Sequence, residues 1–301
     1  MTNPPKKRLL ITGASGFLGW NLGRITPKLW SGWAIFGAYH STPVVIPGVD
    51  TAKLDLTDFS ALKTAFAFIQ PDAVIHTAAL SNPNWVQVNR KEAHRVNVAA
   101  TLNLLGLCAD RGASFVFTST DLVFDGTGAP YDEGASVSPI SVYGEQKVEA
   151  EEGILSLYPE SAICRMPLMF GRGGTRNSSF MQWMVGEMRL GKDLRLFADE
   201  FRTPASGETA AKGLLLAAEK AHGLLHLGGR ERVSRYEFGQ LLGEVFQLSQ
   251  ARLIRGSQGD VEMAAPRPAD VALDSQRAYD LGYDPLSLED ELKKLKSESK
   301  I

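Results

Sequence analysis

The run Arg8-Leu9-Leu10-Ile11-Thr12-Gly13-Ala14-Ser15-Gly16-Phe17-Leu18-Gly19-Trp20 constrains the fold more than any other part of this 301-residue chain. An apolar strand passes straight into Gly-x-x-Gly-x-x-Gly, and a helical pattern follows. The three glycines do different things. Gly13 permits a tight turn, Gly16 lets the backbone approach a pyrophosphate, and Gly19 lets helix and strand pack closely. Phosphates then lie at a helix N-terminus, where free amides and the dipole favour negative charge. A purely structural turn would use the same glycines. The strand before and the helix after supply the context that a dinucleotide site requires.

Beyond this motif the chain alternates strand and helix. Strands are expected at 9–12, 34–39, 52–56, 73–76, 114–118 and 162–165, with helices at 17–29, 59–69, 91–108 and 139–157. Pro27 is expected to disturb the first helix. Asp58 is expected to cap the second, which stops before Pro71. This order gives an α/β fold with a doubly wound parallel sheet of the Rossmann type. Ligands of such sheets sit outside the carboxyl ends of the strands. Gly13, Ala78, Thr120 and Pro167 all fall at those ends, so they should converge on one crevice. After residue 165 the pattern loosens into a polar loop at 171–179, helices at 180–190, 207–220, 236–246 and beyond 288, and strands at 194–197 and 224–227. Residues 1–165 therefore read as the dinucleotide-binding domain and 166–301 as mainly a substrate-binding part.

The chemistry is expected between these halves. Thr118-Ser119-Thr120-Asp121-Leu122-Val123-Phe124-Asp125-Gly126 ends a strand in hydroxyls, and Tyr143-Gly144-Glu145-Gln146-Lys147 follows on a helix. Tyr143 and Lys147 then share one helix face, one turn apart. An ammonium beside a phenol favours the phenolate, so Lys147 is expected to lower the Tyr143 pKa. Such a phenol exchanges a proton with a carbonyl or an alcohol near neutral pH. Thr120 is placed to hold the substrate oxygen, with Ser119 the alternative if the strand end shifts by one residue.

Together these motifs resemble the extended short-chain dehydrogenase/reductase family. The stretch Ser119–Gly126 and the late Arg267-Pro268-Ala269-Asp270-Val271-Ala272-Leu273-Asp274 are similar to its dTDP-4-dehydrorhamnose reductase branch. The resemblance runs from Leu9 to about Tyr283, and it implies that some later elements return to the sheet. It implies reduction of a nucleotide-linked 4-keto-6-deoxysugar, with Thr120, Tyr143 and Lys147 catalytic. It places the cofactor on Gly13, Ser15, Gly16, Phe17, Leu18, Gly19, His40, Ser41, Asp55, Leu56, Ala78, Ala79, Tyr143, Lys147, Met166 and Leu168. It places the sugar nucleotide on Asp121, Arg176, Arg202 and Arg267, a guanidinium fork being suited to phosphate oxygens. Two segments depart from the reductases: Met166-Pro167-Leu168-Met169-Phe170-Gly171 stands for Thr-Ser-Trp-Val-Tyr, and Ser81-Asn82-Pro83-Asn84-Trp85 for Val-Asp-x-Ala-Glu. A cofactor-binding regulatory subunit, similar to the methionine adenosyltransferase β subunit, is the main alternative, and a nucleotide-sugar epimerase is another. Dehydration is disfavoured because Leu122, not Glu, follows Thr120-Asp121.

NADP is expected in preference to NAD. The second strand ends in Tyr39-His40-Ser41-Thr42, without the acid that holds a ribose 2′-hydroxyl in NAD sites. No Arg stands there either, so NAD binding also stays open. A net charge of −2 gives no reason to expect nucleic acid or an acidic membrane as partner. No apolar run approaches a membrane span, and no signal peptide is expected before the first strand. Cys108 and Cys164 read as buried thiols of a cytoplasmic protein. His222 and His226 lack further ligand partners, so no metal is expected. Asn97 reads as a structural hydrogen-bonder. A homodimer is compatible with all of this.

Overall fold

The computed structural model describes residues 6–174 and 179–298. Arg176 lies outside them. The first half runs β1 (Arg8–Thr12), α1 (Phe17–Leu29), β2 (Ala34–Tyr39), β3 (Asp50–Lys53), α2 (Phe59–Ile69), β4 (Ala73–His76), α3 (Pro83–Val88) and α4 (Arg90–His94). A π-helical turn, Arg95–Ala99, joins α4 to α5 (Ala100–Arg111), followed by β5 (Ser114–Thr120), α6 (Val142–Leu157) and β6 (Ala162–Met166). The second half adds β7 (Met169–Phe170), α7 (Phe180–Arg189), β8 (Leu194–Phe197), β9 (Phe201–Arg202), β10 (Ala205–Ser206) and α8 (Gly207–Lys220). It ends with β11 (Gly223–His226), β12 (Val233–Ser234), α9 (Arg235–Phe246), β13 (Leu253–Gly256), α10 (Gln276–Leu281) and α11 (Leu288–Glu298).

Seven strands form one parallel sheet in the order β11-β6-β5-β4-β1-β2-β3. Successive side chains of a strand point to opposite faces, and here both faces are covered. Leu9 and Ile11 pack with Leu18 and Leu22 of α1 and Leu214 of α8. Leu10, Phe115 and Phe117 pack on the other face with Leu62 of α2, Leu104 of α5 and Ile154 of α6. The strand order reverses between β1 and β4, which opens a crevice at their carboxyl ends. A third apolar cluster joins Met181, Met184 and Met188 of α7 to Leu196, Phe238 and Leu292, whereas Trp183 stays exposed. Among the described residues, no helix is long and apolar enough to cross a membrane.

Several boundaries differ from the sequence expectation by a residue, and four by more or in kind. The third strand is Asp50–Lys53, because Asp55 accepts the Thr57 amide at 2.8 Å and hydroxyl at 2.7 Å and turns the chain. The single helix expected at 91–108 is interrupted by the π turn. The fifth strand runs on to Thr120, in register with Met166. The helix expected from 139 begins at Val142, where Ser141 Oγ accepts the Gly144 amide at 3.2 Å. Pro27 does not end α1, which continues to Leu29.

Candidate active site

The glycine turn is built as the motif demands. Gly13 has φ +71°, and a Cβ on it would lie 2.7 Å from the Ala78 amide nitrogen. A Cβ on Gly19 would lie within van der Waals overlap of the Gly13 carbonyl oxygen, so α1 and β1 touch through bare backbone. Gly16 differs: its Cβ would meet only Gly13 O, at 3.2 Å, and otherwise open space. That space is a cavity of about 440 Å³ at the N-terminus of α1, lined by Gly13, Ser15, Gly16, His40, Asp55, Leu56, Ala78 and Ala79 among others. An open glycine face at a helix N-terminus fits a dinucleotide pyrophosphate. Phe17 and Leu18 open α1, and Leu18 turns its side chain into the core. Ser41 is exposed beyond the cavity lining. Met166 ends β6, and Leu168 lies two residues on, where its carbonyl accepts the Ala205 amide at 3.1 Å.

The cavity also holds residues that the sequence did not single out. Glu92 and Arg95 line it from α4 and the π turn. Arg95 supplies the cation that the end of β2 lacks. Hydrogen bonds from the Thr57 hydroxyl and amide hold the Asp55 carboxyl below its usual range, with smaller help from His40 and Arg95. His40 Nε2 lies 3.7 Å from Asp55 Oδ2. Helical position alone gives no sign that Arg95 faces a cleft between strands distant in sequence.

Tyr143 and Lys147 lie on α6, which packs against the end of β5 that carries Thr120. Their approach depends on Gly144, whose Cβ would overlap the Leu122 carbonyl oxygen, so α6 lies directly on the turn after Thr120. Lys147 is buried and donates to the Thr118 carbonyl at 2.8 Å. Its Nζ stands 4.4 Å from the Phe117 ring centre and 5.9 Å from that of Tyr143. Burial pulls its pKa down to about 7, against the pull of Glu151. The Tyr143 phenol moves opposite to expectation: burial, then the Asp121 charge, push its pKa well above the ordinary value. The ammonium is turned to a backbone carbonyl here, so it does not offset burial at the phenol.

Thr120 accepts the Leu122 amide at 3.2 Å and lies 3.2 Å from Asp121 Oδ1. Ser119 faces away and donates to the buried Glu151, so the adjacent hydroxyl is tied into the core. Glu151 also takes Arg165 Nε at 3.2 Å and Nη2 at 2.7 Å. Arg165 Nη1 reaches His226 at 3.4 Å, and burial first, then Arg165, lowers the His226 pKa to about 4. His76 is buried between the hydroxyls of Thr12 and Thr101, and burial holds its pKa at about 3. Asn97 accepts the Leu80 amide at 2.9 Å and donates to its carbonyl at 3.1 Å, the structural role expected of it. Among the described residues no cluster of three metal-binding side chains exists.

Of the expected substrate residues, Asp121, Arg202 and Arg267 gather into one charged cluster. Arg202 Nε lies 3.5 Å from Asp121 Oδ2, and its Nη2 lies 3.5 Å from Glu200 Oε1. Arg235, which no sequence motif marks, binds Glu200 at 3.0 Å. Arg202 also donates to the carbonyls of Phe201 at 2.6 Å and Pro268 at 3.3 Å, and its side chain is only 5% exposed. It is thus embedded in the protein, not an open arm in the cleft. Arg267 is half-buried, and burial lowers its pKa; Glu200, Arg202 and Arg235 are its charged neighbours. Three guanidinium groups here face two carboxylates.

A parallel doubly wound sheet, a glycine turn opening on a cleft, and a Tyr/Lys pair against a strand-end hydroxyl define an oxidoreductase of the extended short-chain dehydrogenase/reductase family. The RmlD substrate binding domain family matches residues 7–300, and the chain belongs to it. It is 32% identical to a probable low-salt glycan biosynthesis reductase of Haloferax volcanii, over 95% of this chain and 96% of that one. It is 28% identical to methionine adenosyltransferase 2 subunit beta of Xenopus laevis, over 92% of this chain and 83% of that one. Among solved structures it resembles a dTDP-4-dehydrorhamnose reductase of Clostridium acetobutylicum, with TM-score 0.83, 25% identity, and coverage of 98% and 100%.

Proposed function

We propose that the protein reduces the 4-keto group of a nucleotide-linked 4-keto-6-deoxysugar. What supports this reading is the packing of α6, which carries Tyr143 and Lys147, directly on the turn that follows Thr120. A bound nicotinamide supplies the hydride. Tyr143, whose raised pKa keeps it protonated at neutral pH, gives its proton to the substrate oxygen. Thr120 orients that oxygen. Lys147, held on the Thr118 carbonyl, is assigned to the ribose side of the site. Residues 1–165 mainly hold the cofactor and 166–301 mainly the sugar nucleotide, with Arg267 toward the diphosphate.

NADPH is the favoured cofactor in this reading. His40 and Arg95 supply donors for a 2′-phosphate, while the Asp55 carboxylate is engaged by Thr57. Dissociation constants for both cofactors decide the preference, and tighter NADH binding would reverse it. A screen of nucleotide 4-keto sugars, followed by the loss of reduced-cofactor absorbance, tests the reaction. A regulatory role is the second reading, favoured by the likeness to methionine adenosyltransferase 2 subunit beta. No turnover in that screen, together with co-purification of another enzyme, would establish it instead.

A further inference from the structure

Asp121 sits in an arrangement that orientation of the substrate oxygen by Thr120 alone does not explain. Its side chain is buried, and Oδ2 has no hydrogen-bond partner among the described residues. The nearest cation is Arg202, 3.5 Å away and shared with Glu200. Arg235 compensates Glu200 directly, at 3.0 Å. A buried carboxylate with a bare oxygen and half a counter-ion is poorly stabilised as an anion.

The hydrogen-bond count at Thr120 gives this a consequence. A hydroxyl has one proton and two acceptor sites. The Leu122 amide fills one acceptor site of Thr120 Oγ1. If Asp121 is ionised, the single Thr120 proton is held on Asp121 Oδ1, and Oγ1 offers only a lone pair to a carbonyl oxygen. Two acceptors then face each other. If Asp121 is neutral, its O–H donates to Oγ1 across the same 3.2 Å, both acceptor sites are filled, and the Thr120 proton is free for the substrate.

The geometry points to Asp121 as a positioning residue that must carry a proton for carbonyl reduction, its carboxyl donating to Thr120 so that Thr120 donates to the substrate oxygen. The inference rests on the reductase reading above. The proton comes from solvent and is not consumed. The groups facing Asp121 are Thr120 on β5, Tyr143 on α6, Glu200 and Arg202 at β9, and Arg235 on α9. Burial raises the Asp121 pKa to about 6, with Arg202 the largest opposing influence. The required form is therefore present below about pH 6 and is lost as pH rises through that value. An ionised Asp121 also makes Tyr143 a weaker acid, so both effects disfavour reduction on the alkaline side.

The test combines pH profiles of reductive kcat with ¹³C NMR titration of carboxyl-labelled aspartate. In the wild type, kcat is expected to fall as pH rises through a limb that matches the titration of the Asp121 signal. Asp121→Asn, whose amide always donates, is expected to abolish that limb. Arg202→Met removes the opposing cation, so it is expected to move the limb and the NMR transition to higher pH. Lys147 also titrates near pH 7, and its limb is expected to survive in both variants. An Asp121 signal that stays ionised down to the acid limit of folding would overturn the inference, as would an unaltered limb in Asp121→Asn. Should neither variant fold, the wild-type titration alone decides. If no keto sugar is reduced at any pH, the reductase reading fails, and the NMR result still reports separately on Asp121.

Discussion

Gly144→Ala is expected to separate catalysis from cofactor binding. A methyl group on Gly144 would overlap the Leu122 carbonyl oxygen and lie 2.8 Å from the Pro139 Cβ. Neither neighbour is the far end of a flexible side chain, so α6 must retreat by about 1 Å to restore ordinary contact. Tyr143 precedes this residue and moves with it, away from the turn that carries Thr120. A misplacement of about 1 Å at a reacting group costs on the order of 100-fold in rate. Overpacking adds a loss of stability of about 1–3 kcal/mol. The glycine cleft lies across β1 and β4 and is not displaced, so cofactor affinity should fall far less than kcat, by what Lys147 on α6 contributes. Single-turnover reduction, cofactor titration by nicotinamide fluorescence, and circular dichroism measure the three effects separately. Gly153→Ala is the control on the same helix, because the nearest atoms to its Cβ belong to the Leu102 side chain, which can rotate away. Full kcat in Gly144→Ala with an unshifted melting curve would refute the packing argument.

The other predictions probe separate parts of the site. Tyr143→Phe should lower kcat by about 10²–10⁴ with cofactor affinity unchanged, read by steady-state kinetics and calorimetry. Gly16→Val fills the open face of the glycine turn and should abolish cofactor binding while circular dichroism stays native; an unchanged dissociation constant would remove the cleft from the cofactor site. Arg165→Met leaves Glu151 buried at 4% side-chain exposure without its counter-ion and should cost about 3–5 kcal/mol in denaturant unfolding. The double variant Arg165→Met with Glu151→Leu should recover most of that loss, and an equal loss would show that the pair is not the cause.

The parts legible in the sequence share one property: a local pattern fixes them. The glycine spacing, the apolar runs of β1, β4 and β5, and the Asp58 cap are short-range signals, and the structure follows them closely. The bounds of the third strand escape such a reading because its residues are mostly exposed at the sheet edge and carry no apolar run. The π turn leaves no mark, since one extra residue per turn does not disturb hydrophobic periodicity over so short a span. Short strands such as β9 and β12 pair across distant segments and have no pattern of their own. The site follows the same division. Thr120, Tyr143 and Lys147 are visible in motif spacing. The embedding of Arg202, the cleft position of Arg95 and the upward shift of the Tyr143 phenol depend on what other elements pack against them.

The most direct test of the account follows the hydride. Reduced cofactor carrying deuterium at the transferable nicotinamide position is incubated with the protein and a nucleotide 4-keto-6-deoxysugar, and the product is read by NMR. The account predicts deuterium bonded to C4 of the sugar, with this transfer suppressed in Tyr143→Phe. Deuterium retained on the cofactor, or found at any other sugar carbon, would contradict it.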